Sequence, residues 1–173
     1  MRIGIVFGCF IPLHKGHISL IERALQENDK VIVAVCGKET DRGQDFIPFS
    51  DRITLIKRKY HSGKYIISMV DDEKLKLNGS FSYNNWVLWC TELFANAGID
   101  PYDNTNYFTW YTGEPSYKEV LNKIYENHEV CLIDRSIITI SGTKIRENPM
   151  AYKDYIAPEF FDYLKKKGIT NET

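Results

Sequence analysis

The stretch IGIVFGCFIPLHKGHISLIERAL, residues 3–25, decides the fold. It opens with a continuous apolar run that is rich in β-branched residues and ends at Gly8, a pattern typical of a strand buried on both faces. Beyond the following loop, Ile18, Ile21 and Leu25 recur at the spacing of one helical face. We therefore predict a strand, a loop and a helix in direct succession.

The same alternation of apolar runs and helical patterns continues along the chain. Strands and helices that alternate at this spacing predict an α/β fold, a doubly wound parallel sheet of about five strands with helices on both faces. The predicted strands are 3–7, 31–36, 65–70, 107–111 and 130–133, and the predicted helices are 17–27, 50–60, 84–97, 116–126, 141–147 and 158–167. Ser50 is the expected N-cap of the second helix, and residues 141–168 form a C-terminal helical part.

Composition restricts the class of protein. With 173 residues, of which 43% are hydrophobic, the chain fits a single domain spanning residues 1–173. A net charge of −1 argues against general nucleic-acid or membrane-surface binding, so any phosphate site should be local. The four cysteines lack a C-x-x-C pair, which favours a reduced cytoplasmic protein without a zinc site. They are Cys9, Cys36, Cys90 and Cys131.

Two histidines stand three residues apart where the first strand gives way to the first helix. Gly8 permits a tight turn there, and the unpaired N–H groups of a helix N-terminus favour an anion. His14 and His17 add two donors, neutral or cationic, at the same place, which suits a phosphate group. Surface or capping histidines are the alternative interpretation, and a metal pair is disfavoured because no third ligand lies nearby.

The stretch ISGTKIR, residues 140–146, is a second candidate anion site. Ser141 is a natural N-cap, and Thr143 and Arg146 follow within the first turns of the predicted helix. An ordinary capped helix with surface cations is the alternative. In parallel sheets ligands bind beyond the carboxyl ends of the strands, so both candidate sites are expected along one edge of the sheet.

GCFIPLHKGH, residues 8–17, resembles the G-x-F-x-P-x-H-x-G-H signature of the HxGH nucleotidyltransferase superfamily. ISGTKIR resembles the I-S-x-T-x-x-R motif that its adenylyltransferases carry. The resemblance implies a Rossmann-like nucleotidyltransferase fold, adenylyl transfer from ATP, and His17, His14 and Arg146 as catalytic residues. The implied ATP-binding residues are Gly8, Phe10, His14, His17, Arg52, Gly113, Arg135, Ser141, Thr143 and Arg146.

Three further stretches resemble nicotinamide-nucleotide adenylyltransferases of the bifunctional-regulator and archaeal type. They are SYNNWVLW at 82–89, YTGEP at 111–115 and Asp134-Arg135. The resemblance implies nicotinamide mononucleotide as the acceptor, with Trp86 stacked on its ring and Asn85 beside it. It also implies Mg²⁺ that arrives with ATP and keeps most of its waters, so that no protein metal ligands are expected.

Other functions stay open at this point. Nicotinate mononucleotide and phosphopantetheine are alternative acceptors, although phosphopantetheine enzymes usually have threonine in place of His14. A non-catalytic module that senses nucleotides is the alternative from another class. No binding of nucleic acid or membrane is expected, and a homo-oligomer is possible.

One position departs from the pattern. The nicotinamide-nucleotide relatives usually have Lys or Arg where Cys9 stands, and a thiol supplies no cation at neutral pH. Lys15 and Arg52 are the candidates to supply that charge. For Arg52 the alternative is a surface cation in the first turn of its helix.

Overall fold

The fold is a five-stranded parallel sheet, seen in a computed structural model that describes residues 1–37, 46–73, 75, 82–134 and 140–169. The strand order is β3-β2-β1-β4-β5, and each described pairing is parallel. This confirms the predicted doubly wound sheet. The strands are β1 Arg2–Gly8, β2 Lys30–Cys36, β3 Tyr65–Val70, β4 Tyr107–Thr112 and β5 Glu129–Leu132.

The order of the strands reverses beside β1. The chain builds β2 and β3 on one side of β1, then crosses over to build β4 and β5 on the other side. The loops that leave β1 and β4 therefore diverge and open a crevice at the carboxyl ends of these two strands, the usual ligand position in such sheets. The loop after β1 begins at Gly8, and the loop after β4 begins at Gly113.

Helices cover both faces of the sheet. Helices α1, α2 and α6 pack on one face, and α3 and α4 pack on the other. Described helices number six, joined by one 3-10 helix over Pro149–Tyr155. They are α1 Lys15–Glu27, α2 Phe49–Lys59, α3 Tyr83–Ala97, α4 Pro115–Ile124, α5 Gly142–Glu147 and α6 Pro158–Lys166. None of these helices is both long and apolar enough to cross a bilayer.

The central strand β1 shows why its sequence is apolar throughout. Ile3 and Ile5 point to one face and pack in the same cluster as Trp89 of α3. Val6 points to the other face, with Ile21 of α1. All five side chains are at most 2% exposed. Because both faces are covered, the strand has no polar side to alternate with.

The helical segments differ from the predictions in the N-cap of α2 and in an additional 3-10 helix. Helix α2 begins at Phe49 with Pro48 in the N-cap position, so the prediction that Ser50 is the N-cap is wrong. The rigid extended backbone of Pro48 (φ −55°, ψ 149°) places the helix start ahead of the serine. The 3-10 helix was not predicted, because the helical pattern is weak there and Asn148 caps it with its own side chain.

Removing the Phe160 ring should destabilise the fold strongly. Phe160 is fully buried on α6 against the sheet, so Phe160→Ala should lower the free energy of unfolding by about 3–5 kcal/mol through lost burial and a cavity. Asp162→Ala, at an exposed position of the same helix, should change it by less than about 0.5 kcal/mol. Urea denaturation measures both, and equal losses would contradict the packing of α6 described above.

Candidate active site

The loop after β1 folds back under its own helix. Phe10 takes the left-handed backbone conformation (φ 56°) and is 1% exposed. A Cβ on Gly8 would lie 3.2 Å from the Phe10 ring, so Gly8 is required because the ring occupies that space. The ring then meets His17 edge-on at 4.9 Å between centroids. The Phe10 ring thus supports His17, and its predicted ATP contact stays a prediction.

The two histidines are held by the backbone at the start of α1. His14 is the N-cap, and its Nδ1 accepts a hydrogen bond from the Gly16 N–H at 3.1 Å. The His14 N–H in turn donates to Nδ1 of His17 at 3.3 Å. The two rings stack at 3.8 Å between centroids. With both Nδ1 atoms used as acceptors, each neutral ring carries its proton on Nε2, where it is available as a donor.

Burial keeps both rings neutral. It lowers the pKa of His14 from 6.5 to about 4. Burial, and then the neighbouring His14, lower the pKa of His17 well below its ordinary value. Of the two states considered from the sequence, cationic and neutral, the free protein therefore holds the neutral one at physiological pH.

The C-terminal motif is bonded to the same loop. The Arg146 guanidinium donates from Nη1 to the Ile11 carbonyl at 2.7 Å. Gly142 approaches so closely that a Cβ there would lie 3.0 Å from that carbonyl oxygen. Ala157 donates its N–H to the Leu13 carbonyl at 2.9 Å. The predicted juxtaposition of the two motifs is thus a direct contact, from the Arg146 side chain to the main chain of the loop.

The two motifs enclose a cavity of about 410 Å³, here named the motif cavity. Four of the predicted ATP-binding residues line it, namely His14, His17, Gly113 and Ser141. They come from the ends of β1 and β4 and from the start of α5. The remaining lining residues are Phe7, Gly16, Leu20, Tyr111, Thr112, Tyr117, Ile133, Ile140 and Gly142.

The other residues of the second motif lie at the cavity's rim. Ser141 caps α5 by accepting from the Lys144 N–H at 3.3 Å, which confirms its predicted N-cap role. Thr143 is exposed and accepts from Nη2 of Arg146 at 3.3 Å. Arg146 is partly exposed, between the loop and this hydroxyl. Arg135 lies outside the described residues, so its predicted ATP contact stays a prediction.

Arg52 is a buried support of the loop. Its guanidinium donates to the carbonyls of Cys9 and Cys36, at 2.8 Å and 3.0 Å, and its Nε donates to the Ile47 carbonyl at 3.2 Å. The side chain is 0% exposed, so the surface-cation alternative is wrong. The described contacts of the guanidinium are main-chain oxygens that tie the ends of β1 and β2 together, and its predicted ATP contact stays a prediction.

Neither candidate supplies the cation that is missing at Cys9. Lys15 lies over the Tyr155 ring, 5.3 Å from its centroid, and lines a different surface depression. The Cys9 thiol instead faces an acid, with 3.9 Å between Sγ and Oδ2 of Asp72. The other oxygen of Asp72 accepts from Trp89 Nε1 at 2.9 Å.

A second cavity of about 620 Å³, named the aromatic cavity, adjoins the motif cavity between the N-termini of α3 and α4. Trp86 lines it and is 5% exposed, with its ring against Tyr117 at 4.9 Å. Trp89 is 1% exposed and belongs to the core. Asn85 is 6% exposed, and its amide donates to the Leu75 carbonyl at 3.3 Å, so its predicted acceptor contact stays a prediction.

Tyr117 is the important residue that the sequence did not reveal. It lines both cavities, and its ring also contacts Phe7 of β1 at 6.2 Å. The signal available in the sequence was its position two residues after Pro115, in the first turn of a helix that starts at the ligand edge of the sheet. Tyr117 therefore forms the wall between the two candidate binding spaces.

The described residues that line the motif cavity include no carboxylate. In the described part of the chain, no group of three or more His, Cys, Asp or Glu residues could hold a metal ion. The available groups are neutral imidazoles, hydroxyls and N–H groups, which suit a phosphate or a phosphate-bound metal better than a bare cation.

Sequence comparison agrees with this geometry. The family model described as cytidylyltransferase-like matches residues 5–148, a span that contains both motifs, the second half of β1 and the other four strands. The chain belongs to the cytidylyltransferase-like family.

Several proteins that are similar to this chain have names that refer to NAD biosynthesis or to nicotinamide nucleotides. The trifunctional NAD biosynthesis/regulator protein NadR of Salmonella typhimurium is 34% identical over 177 residues, covering 91% of this chain and 39% of NadR. A nicotinamide-nucleotide adenylyltransferase of Thermoplasma volcanium is 28% identical over 148 residues, covering 82% of this chain and 72% of the relative. A crystal structure of NadR with NAD and AMP-PNP matches with a TM-score of 0.76 at 30% identity, over 92% of this chain and 45% of that one.

The coverage of the NadR chains limits the conclusions that the comparison supports. The cytidylyltransferase-like chain spans less than half the length of the NadR proteins it matches. The alignment therefore concerns one portion of NadR, and the fold and family follow from it directly.

We expect the protein to lose stability in acid because His14 becomes protonated. Because the folded pKa is about 4 and the ordinary value is 6.5, the unfolded chain binds more protons between these values, and the free energy of unfolding falls as pH falls through that window. His14 should account for about 2 kcal/mol of the loss between pH 7 and pH 5.

The measurement is urea denaturation at both pH values. His14→Asn keeps an N-cap acceptor but removes the titrating ring, so its loss between the two pH values should be smaller by that amount. Carboxylate contributions are shared by both proteins and cancel in the difference. Identical pH dependence in the two proteins would contradict the burial of a neutral His14.

Proposed function

We propose that this protein transfers the adenylyl group of ATP to nicotinamide mononucleotide, forming NAD and releasing pyrophosphate. The observation that carries the proposal is the convergence of both motifs on one cavity, which shares a wall with a second, aromatic cavity. One space suits the nucleoside triphosphate and the other suits the acceptor. The names of the NadR and Thermoplasma volcanium relatives support the same reaction.

The chemistry requires little of the protein. A phosphate monoester has a second pKa near about 6 and is already anionic at neutral pH, so the acceptor needs no general base. It attacks the α-phosphorus, a P–O bond forms, and the bond to the β-phosphate breaks with pyrophosphate as the leaving group. Alignment of the two substrates and stabilisation of charge are the remaining tasks.

The histidine pair is suited to stabilising charge on the α-phosphoryl group. In our proposal Nε2–H of His17 donates to a phosphoryl oxygen, with His14 beside it. Phe10 behind the ring and the bond to Nδ1 hold His17 in one orientation and one tautomer. A donor that is already oriented does not need to reorganise as the charge develops.

The start of α5 is suited to the leaving pyrophosphate. Ser141, Thr143 and Arg146 present hydroxyls and a guanidinium on one rim of the motif cavity. We propose that Mg²⁺ enters as part of the ATP substrate, where it would neutralise charge on the phosphates. The hydroxyl, imidazole and N–H groups of the motif cavity would then donate hydrogen bonds to the phosphate oxygens.

The aromatic cavity is suited to the flat, cationic ring of the acceptor. Tyr83, Trp86 and Tyr117 are the aromatic residues of its described lining, and an indole face stabilises a desolvated cation by roughly 0.5–2 kcal/mol. An acceptor bound there, beside the motif cavity, would lie within reach of the α-phosphate. Trp86 is thus retained as the proposed acceptor contact, and Asn85 as the residue that holds the chain near Leu75 against α3.

Pyrophosphate release tests the function. Purified protein with ATP and Mg²⁺ should release pyrophosphate only when nicotinamide mononucleotide is added, with NAD formed in equal amount. Nicotinate mononucleotide and phosphopantetheine are tested in parallel at equal concentration. Absence of pyrophosphate with every acceptor, despite ATP binding, would favour a nucleotide-sensing module and contradict the proposal.

His17→Ala should lower turnover at least about a hundredfold, which corresponds to about 2.7 kcal/mol of transition-state stabilisation, as when one oxyanion donor is removed. The reason is the loss of a preoriented Nε2 donor at the reacting phosphoryl group. His61→Ala, at an exposed position after α2, is the matched control and should keep normal turnover. A folded His17→Ala protein with near-normal kcat would exclude the proposed role.

A further inference from the structure

We propose that Glu114 makes the acceptor site selective for nicotinamide mononucleotide over nicotinate mononucleotide. The inference rests on the proposed function, and it assigns the selectivity to one side chain. The two nucleotides share ribose, phosphate and the cationic ring. They differ only in the ring substituent, which is a neutral carboxamide in one and a carboxylate in the other.

The segment Thr112-Gly113-Glu114 divides the two cavities. Thr112 and Gly113 line the motif cavity, whereas Glu114 lines the aromatic cavity. Glu114 is therefore on the opposite side of the segment from the nucleotide motifs, facing the same space as Trp86. Two consecutive residues, Gly113 and Glu114, therefore face the proposed ATP space and the proposed acceptor space respectively.

The carboxylate of Glu114 is held in place. Its backbone N–H donates to Thr112 Oγ1 at 3.2 Å, and one carboxylate oxygen accepts from Ser116 Oγ at 3.2 Å. It is the residue before Pro115, at the N-cap of α4, so its backbone is restricted as well. A side chain restrained in this way presents its charge to the cavity at a defined position.

The described residues that line the aromatic cavity carry an excess of negative charge. Its lining contains two carboxylates and one cation, and the cation pairs with the other carboxylate: Lys123 Nζ lies 3.7 Å from Oε1 of Glu119. Glu119 is thereby offset within its own helix, one turn further along α4 and exposed. The charge of Glu114 is left to act on whatever occupies the cavity.

This charge treats the two acceptors differently. It attracts the cationic ring of both, accepts a hydrogen bond from a carboxamide N–H, and repels a carboxylate. Two like charges about 4 Å apart lower the binding constant about fivefold in water and by more in a partly enclosed site, so selectivity of about tenfold is expected. A repulsive element of this kind is a usual source of specificity between isosteric ligands.

The test compares kcat/KM for the two mononucleotides at saturating ATP and Mg²⁺. Glu114→Gln preserves size and the acceptor for Ser116 but removes the charge, and it should lower the ratio of nicotinamide to nicotinate activity about tenfold, mainly by a gain with nicotinate. Glu114→Lys should lower the ratio further and favour nicotinate. Glu126→Gln, at an exposed carboxylate that does not line the aromatic cavity, is the matched control and should change the ratio less than twofold. Thermal midpoints verify that each variant is folded.

The outcomes separate the two proposals. A ratio that stays within twofold in both Glu114 variants, while pyrophosphate is released, overturns the assignment of Glu114 and leaves the proposed function standing. An equal fall in the ratio for Glu126→Gln overturns it too, because a carboxylate outside the cavity would then have the same effect. Wild-type protein that uses neither mononucleotide overturns the proposed function and this inference together.

Discussion

The bond from the Arg146 guanidinium to the Ile11 carbonyl joins residues 135 positions apart, and the candidate site depends on it. It holds the start of α5 against the loop that leaves β1, and the Ala157–Leu13 bond holds the start of α6 against the same loop. Gly142 permits this approach because a side chain there would collide with the same carbonyl. Without this contact the two anion-binding helix starts would be separate surface features, and no cavity would lie between them.

The same closure explains the chemistry of the histidines. Covered by the loop and stacked on each other, His14 and His17 are held neutral, and their Nδ1 atoms are used by backbone N–H groups. What remains is a pair of oriented Nε2 donors at a helix N-terminus. A buried neutral donor is costly to protonate, so the arrangement that suits a phosphate also ties folding stability to pH.

Patterns local in the sequence were reliable. The five strands, the N-cap at Ser141 and the helix end at Gly98 all depend on residues within one turn or one run of each other. The burial of side chains, in contrast, could not be predicted from such local patterns. Phe10 and Arg52 are behind the cavity and Asn85 bonds to the chain near β3, because each meets partners far away in the sequence. Tyr117 was missed for the same reason.

The sequence by itself determined the fold class, the position of both motifs at one edge of the sheet, and the family. Periodicity and motif spacing carry that information, since they reflect backbone geometry and short-range capping. Only the tertiary structure decided which motif side chains face a cavity, the neutral state of the histidines, and the opposite directions of Gly113 and Glu114. These properties arise from desolvation and packing between segments far apart in the chain, which no local pattern encodes.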